Sequence, residues 1–130
     1  MKQTAVIADW LPAPVLNGSR QQHWSVLRSR AATDKAHAWL AARHAGWRFV
    51  PGRVQLTVTF VFSVKRRRDT DNLYARAKHL VDGLKGVFFT DDDADHLDLV
   101  VRAEQRPGAK ETRLVLESLS GGPPATSVGA

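Results

Sequence analysis

The chain has 130 residues, a length that fits one domain with its own hydrophobic core. It contains no cysteine, which excludes disulfides, zinc–thiolate sites and cysteine nucleophiles. No apolar run approaches the roughly 20 residues that span a bilayer, and the N-terminal stretch is too short and too interrupted for a signal peptide. We therefore expect a cytoplasmic protein without a membrane segment. The formal net charge is +6.

The charge is unevenly distributed along the chain. Residues 69–98 hold eight acidic and three basic side chains, a net −5, whereas the remainder holds 16 basic and five acidic ones, a net +11. A basic field attracts phosphates, and an acidic island within it can hold the cations that activate one of them. This distribution favours an enzyme that cuts nucleic acid. The alternative is a soluble basic domain without such an activity.

The first third of the chain predicts a strand, a basic loop and a helix. Thr4–Trp10 is typical of a short strand, which two prolines end. Residues 20–30 interleave arginines with Trp24, a pattern that can line a nucleic-acid surface, although Trp24 could instead pack on the core. A first helix is predicted from Thr33, as its N-cap, to about His44. We expect the basic loop to contact DNA through Arg20, Arg28 and Arg30.

The clearest strand is Arg53–Val64, in which apolar residues fill one face and whose length predicts a central position in the sheet. A second helix follows, because its apolar residues recur at helical spacing; they are Leu73, Ala77, Leu80, Val81 and Leu84. His96–Gln105 and Thr112–Leu119 flank the turn Pro107-Gly108, an arrangement that predicts a β-hairpin.

This order of elements predicts an α+β domain over residues 1–120. We expect a mixed or antiparallel sheet of about four strands packed with two helices. Residues 121–130, GGPPATSVGA, lack the apolar content to pack and are expected to form a disordered tail.

The segment between the long strand and the hairpin carries the residues best suited to catalysis. Four cations at positions 65–68 precede Asp69 and Asp71, and a second acidic cluster follows at positions 91–93. Phosphodiester hydrolysis with two Mg²⁺ ions roughly 4 Å apart needs three or four carboxylates. Asp69 and Asp71 would supply one pair and Asp91 and Asp92 the other, on a loop that folds back beside the first. The alternative is that these acids cap a helix or are solvated.

Four motifs in this segment resemble those of the RusA-type Holliday junction resolvases. The family signature is R-D-x-D-N, then D-[AG]-L near a helix end, then G-x-x-x(x)-D-D. The matching residues are Arg66-Arg67-Arg68-Asp69-Thr70-Asp71-Asn72-Leu73, Val81-Asp82-Gly83-Leu84, Gly86-Val87 and Asp91-Asp92-Asp93. The resemblance extends from about Leu11 to Leu119.

The resemblance implies a RusA-like fold and a reaction. Such proteins are homodimers that bind four-way DNA junctions and resolve them by paired symmetric nicks. They use Mg²⁺, for which Mn²⁺ can substitute. It also implies a part in DNA recombination or repair, and an origin in a phage or prophage. Two other functions stay open: a non-catalytic nucleic-acid-binding module, and a metal nuclease that acts on other branched DNA or on RNA.

The resemblance also implies which residues act. The essential aspartates correspond to Asp69, Asp71 and one residue of the later pair. Asp92 is favoured for this third position, but the run of three aspartates leaves the register ambiguous by one, so Asp91 is the alternative and is also a candidate metal ligand. The arginines before them are expected to contact neighbouring phosphates; they are Arg66, Arg67 and Arg68.

One position departs from the family pattern. A lysine usually follows the motif asparagine by three residues, and this chain has Ala75 there. Such a lysine would offset charge on the reacting phosphate. We expect Lys78 or Arg76 to supply that charge, with Lys78 favoured because helical spacing places it on the face of Asp71.

Overall fold

The computed structural model describes residues 2–13, 24–64 and 70–119, and for residues 24–27 the helical backbone alone. Its elements in chain order are β1 (Lys2–Ala8), α1 (Trp24–His44), β2 (Val54–Phe62), α2 (Thr70–Leu84), β3 (Leu97–Gln105) and β4 (Glu111–Ser118). The strands form one mixed sheet in the order β1-β4-β2-β3, and both helices bury residues in the core on one of its faces. The predicted α+β domain of four strands and two helices is confirmed.

β2 is an interior strand of the sheet, as its length predicts. Val54, Leu56, Val58 and Phe60 are fully buried beneath the helices, whereas the intervening Gln55, Thr57 and Thr59 are half-buried on the opposite face. β2 pairs with β4 in antiparallel and with β3 in parallel orientation. Of the described helices, none is long and apolar enough to cross a membrane.

α2 connects two neighbouring parallel strands. Its predicted apolar stripe is buried in full, at Leu73, Ala77, Leu80, Val81 and Leu84. Parallel neighbours require a crossover, because the chain must return to the starting end of the first strand. The register pairs Val54 at the start of β2 with Leu97 at the start of β3. α2 therefore begins at one end of the sheet and ends at the other.

The predicted hairpin between β3 and β4 is wrong. β4 pairs with β1 and β2 instead, and the Arg106 amide donates a hydrogen bond to the Phe62 carbonyl (2.9 Å) as the chain passes the end of β2. Burial explains the arrangement. Thr112, Leu114 and Leu116 of β4 are fully buried, as an interior strand requires, whereas the second half of β3 is exposed and suits an edge.

α1 begins nine residues earlier than predicted, at Trp24 rather than at Thr33. The segment 24–32 contains no glycine or proline, so nothing in it stops a helix. Thr33 is not an N-cap, because its hydroxyl donates to the Ser29 carbonyl one turn back (2.9 Å), as threonines inside helices do. Arg28 and Arg30 consequently lie on a helix rather than in the predicted loop.

The two helices approach closely at Gly83. A Cβ atom at this position would lie 2.5 Å from the Lys35 carbonyl oxygen of α1, which is too close for any side chain. The glycine of the Asp82-Gly83-Leu84 motif thus serves packing between α1 and α2. Its role is structural, although the motif also resembles part of a catalytic family signature.

Asp34 is a carboxylic acid buried on α1, with 8% of its surface exposed. Burial raises its pKa above the ordinary value of 3.8, because desolvation disfavours the carboxylate. His79, His37 and Arg30 oppose this shift with their positive charge but do not cancel it. The charged form of Asp34 therefore costs folding free energy that a neutral side chain would not.

We predict that Asp34→Asn raises the free energy of unfolding at pH 7. A raised carboxyl pKa contributes stability that is present below pH 3.8 and is lost as the pH rises through the pKa of the folded state. The advantage of the variant should therefore shrink as the pH falls towards 3.8. Urea unfolding of both proteins between pH 3.5 and 7 measures this. A variant that is less stable than the parent at pH 7 would contradict the assignment.

Candidate active site

Asp71 lies in the first turn of α2, where it is exposed to solvent. An acid in the first turn is stabilised by the positive end of the helix dipole, so this position suits an ionised carboxylate. Several predicted site residues lie outside the described part of the chain; they are Arg20, Arg66, Arg67, Arg68 and Asp69. Asp71 is the described member of the first acidic pair.

A buried apolar step holds the second acidic cluster in place. Phe88 and Phe89 follow α2 and are buried in the core, and the Phe88 carbonyl accepts a hydrogen bond from the Val50 amide (2.9 Å). Gly86, with a φ of 79°, allows the tight turn in which its amide donates to the Phe89 carbonyl (2.8 Å). The sequence Val87-Phe88-Phe89 thereby fixes the loop that presents Asp91, Asp92 and Asp93.

The three aspartates of this loop have different surroundings. Asp91 accepts a hydrogen bond from the Asp92 amide (2.7 Å), and this bond is the main cause of a lowered Asp91 pKa. The Asp93 carboxylate binds its own loop instead, since it accepts from the Asp95 amide (3.0 Å) and lies 2.7 Å from His96 Nδ1. Asp91 and Asp92 therefore keep carboxylate oxygens available, whereas Asp93 serves the loop.

Lys85 connects the second motif with the acidic loop. Its ammonium lies 3.9 Å from an oxygen of Asp82 and 3.6 Å from an oxygen of Asp92. The sequence interpretation missed this residue, although its spacing of three residues after Asp82 on one helix would have placed the two side by side. Lys85 is the described lysine that contacts a candidate metal ligand.

The two acidic motifs lie at opposite ends of α2. The helix has 15 residues, which at 1.5 Å per residue gives a length of about 20 Å. Asp71 is in its first turn, whereas Asp92 contacts Lys85, the residue that follows its last turn. Within one copy of the chain, the second loop therefore does not lie beside the first. The sequence interpretation expected that it would. Among residues 2–13, 24–64 and 70–119, no three acidic or histidine side chains form a metal-binding group.

A comparison with protein families gives one match in this region. The model of the family described as endodeoxyribonuclease RusA matches residues 17–114, which include both acidic motifs and α2. The chain belongs to the RusA family. Membership indicates an endodeoxyribonuclease that resolves Holliday junctions and whose partner is branched DNA. A search of curated proteins gives no match.

The two residues predicted to replace the RusA family lysine, Lys78 and Arg76, both lie on α2 with Asp71. Lys78 is exposed near the middle of α2, about 10 Å along the helix from Asp71 at 1.5 Å per residue. Arg76 places its guanidinium 5.4 Å from the centre of the Phe62 ring, at the end of β2. Ala75 itself is half-buried.

Proposed function

We propose that this RusA family member is a Mg²⁺-dependent endonuclease that binds four-way DNA junctions in the cytoplasm and resolves them by paired symmetric nicks. The observation that carries the proposal is the placement of two acidic motifs, within the matched residues, at the two ends of α2. The basic remainder of the chain attracts DNA, and Arg66, Arg67 and Arg68 would contact phosphates beside Asp69.

The donor set fits a hard cation. Mg²⁺ takes oxygen ligands, and the candidate ligands Asp69, Asp71 and Asp92 all supply carboxylate oxygens, with Asp91 as a further ligand. The lowered pKa of Asp91 keeps that carboxyl ionised at neutral pH. When bound, Mg²⁺ would acidify a water for attack on the scissile phosphate and offset the charge that develops there. Asp71 and Asp92 are exposed to solvent, so DNA can reach both carboxylates.

A homodimer would complete the site. Asp71 and Asp92 of one copy are separated by the length of α2, whereas the ligands of one Mg²⁺ must all lie about 2.1 Å from it. In a two-fold dimer, each contact that one copy makes is repeated by the other. We infer that Asp71 of one copy meets the partner's Asp92, which gives two equal sites for two symmetric nicks.

Lys85 is the residue that we favour to supply the charge missing at Ala75. In a shared site, Lys85 arrives together with Asp92, since the two side chains are already 3.6 Å apart. Its ammonium would neutralise Asp92 before the metal binds and could then face the phosphate. Lys78 and Arg76 remain the candidates from the sequence, and Lys78 keeps the advantage of sharing a helix with Asp71.

We predict that Asp71→Asn abolishes Mg²⁺-dependent nicking of a four-way junction. Junction binding in EDTA should persist, and should tighten because a negative charge facing phosphates is removed. The loss should be at least about 100-fold, since outer partners of metal ligands already cost about 10–100-fold. Nicking is measured on a junction, a flap, a linear duplex and an RNA hairpin.

Asp95→Asn is the matched control, because Asp95 is an exposed aspartate of the same acidic segment outside the candidate ligand pairs. It should nick as the parent does. A parent protein that binds the junction but nicks none of the four substrates would instead establish the non-catalytic module. Cleavage of the flap or the hairpin in preference to the junction would establish the other alternative.

We predict that nicking activity is restored when a subunit carrying Asp71→Asn forms a mixed dimer with a subunit carrying Asp92→Asn. A mixed dimer then contains one site with both carboxylates intact and one site with neither, so it should nick one strand. Two different affinity tags allow the mixed dimer to be purified after co-expression. Each variant alone should be inactive.

A mixture of Asp69→Asn and Asp71→Asn subunits is the matched control, because both changes fall in the same acidic pair and no site of the mixed dimer would be intact. If the Asp71→Asn and Asp92→Asn mixture is as inactive as this control, the shared site is wrong and each copy must assemble its own.

We predict that Lys85→Ala slows nicking by on the order of 100-fold, the cost of removing one charge-stabilising group from a transition state. Lys78→Ala should change the rate by less than about threefold. Single-turnover nicking of a pre-bound junction measures the rate, and junction affinity in EDTA separates it from binding. Loss of nicking in Lys78→Ala or Arg76→Ala, with Lys85→Ala unchanged, would contradict this assignment.

A further inference from the structure

A cavity of about 480 Å³ lies between the segment after β1 and the side of α1. Trp10 and Leu11 line it from one side, and Ser29, Arg30 and Asp34 from the other. None of the candidate metal ligands lines it. Its volume lies within the range of about 300–1,000 Å³ that small-molecule sites occupy.

The aromatic wall of this cavity is held on two sides. The Trp10 carbonyl accepts a hydrogen bond from the fully buried Thr112 hydroxyl (3.0 Å), and the Trp10 ring stacks on His37 with ring centres 4.2 Å apart. His37 Nδ1 lies 3.0 Å from the Thr33 carbonyl, which only accepts, so Nδ1 carries a proton. Asp9 directly before Trp10 has a φ of 55°, a left-handed conformation that is uncommon for residues other than glycine.

The opposite wall contains a buried carboxylic acid. Asp34 is 92% buried, and no hydrogen bond to its carboxyl group is found among the residues that the structure describes. His79, whose charge acts on Asp34, has a buried Nδ1 that also makes no hydrogen bond there; its nearest acidic oxygen, on Asp82, is 3.8 Å away. Asp34 lines the cavity, so a molecule that donates a hydrogen bond there can bind its carboxyl group.

Trp10 on one wall and Asp34 on the other together suit a ligand that is a flat ring with a polar edge. A nucleobase stacks on an aromatic side chain with either face, and a carboxyl group in either protonation state accepts from an exocyclic amino group. Adenine, cytosine and guanine carry such a group, and thymine does not. Arg30 also lines the cavity and adds a cation, a group that can bind a phosphate.

Asp34 lies beside the second half of α2, because the backbone of the adjacent Lys35 packs on Gly83, whereas Trp10 lies at the end of the sheet where α2 begins. Thr112, which holds Trp10, pairs with Phe60 near the end of β2, and the Arg76 guanidinium of α2 covers Phe62 two residues later. The first turns of α2, which carry Asp71, are at this same end. Bases at a branch point cost least to unstack, so a base close to the cleaved strand can be turned out of the helix.

We propose that this cavity receives one nucleobase turned out of the branched DNA, with its ring against Trp10 and its exocyclic amino group bonded to Asp34. The inference rests on the proposed function, because it requires the chain to bind a DNA junction. It adds a site that selects the base beside the branch point and that is separate from the metal ligands.

The test is a scan of junction affinity in EDTA, where no cleavage occurs. Each nucleotide near the branch point is replaced in turn by an abasic residue, and affinity is measured by fluorescence anisotropy. One position should weaken binding by about 5- to 150-fold, the range for one base stacked on one aromatic ring. Trp10→Ala should weaken binding of the intact junction by the same factor and should remove the effect of the abasic residue.

The base at that position then tests the carboxyl group. Thymine should bind about fivefold or more weakly than cytosine or adenine. Asp34→Leu should remove this preference, whereas Asp34→Asn keeps an acceptor oxygen and should retain it. The predicted stability of Asp34→Asn keeps the comparison free of unfolding.

The outcomes separate this inference from the proposed function. Junction binding without any abasic effect, or with an abasic effect that persists in Trp10→Ala, would overturn the cavity assignment and leave the nuclease proposal untouched. Junction binding and base preference with no Mg²⁺-dependent nicking would support the cavity and remove the nuclease. A chain that binds no junction would overturn both.

Discussion

The length of α2 is the constraint on which the rest of the account depends. A helix that joins two parallel neighbouring strands must return the chain across the sheet, so its two ends lie at the two ends of the strands. The acidic motifs of this chain flank that helix in sequence, and they are therefore kept about 20 Å apart in one copy. At Gly83, α2 packs so closely against α1 that a Cβ atom would lie 2.5 Å from the Lys35 carbonyl oxygen. A second copy is the simplest way to bring the two motifs together.

In the proposed shared site, each end of α2 would contribute a different property. The first turn offers Asp71 beside the positive end of the helix dipole, next to the basic run. The other end of α2 brings together Asp82 of the last turn, Lys85 directly after it and Asp92 of the acidic loop, and the Lys85 ammonium is shared by the two carboxylates. The cavity between Trp10 and Asp34 adds a third element, and its Trp10 wall lies at the end of the sheet where α2 begins. Metal binding, charge compensation and base selection would thus be carried by separate residues of one small sheet.

The sequence predicted those elements whose own pattern decides their structure. β2 alternates cleanly and α2 has one apolar stripe, so both were identified with their buried faces. The turn between β3 and β4 did not reveal how these strands pair. Each of them lies on a different side of β2, and this choice depends on burial in the folded sheet. A helix between two strands was the available indication of parallel pairing. The start of α1 was missed because Thr33 resembles an N-cap, although no residue from 24 to 32 breaks a helix.

For the site, the sequence identified carboxylates and could not supply their distances. Asp71, Asp91 and Asp92 were found from their motifs, and whether they bind metal stays a prediction. Lys85 and Asp34 were missed as site residues: the spacing of Lys85 from Asp82 was visible in the sequence, but its contact with Asp92 and the burial of Asp34 were not. Their importance comes from contact and burial, which only the fold determines. The most direct test of the central claim is a crystal structure with Mn²⁺ and a four-way junction, in which anomalous scattering locates the metal. A shared site requires Mn²⁺ to lie between Asp71 of one copy and the partner's Asp92. Mn²⁺ bound wholly within one copy would contradict it.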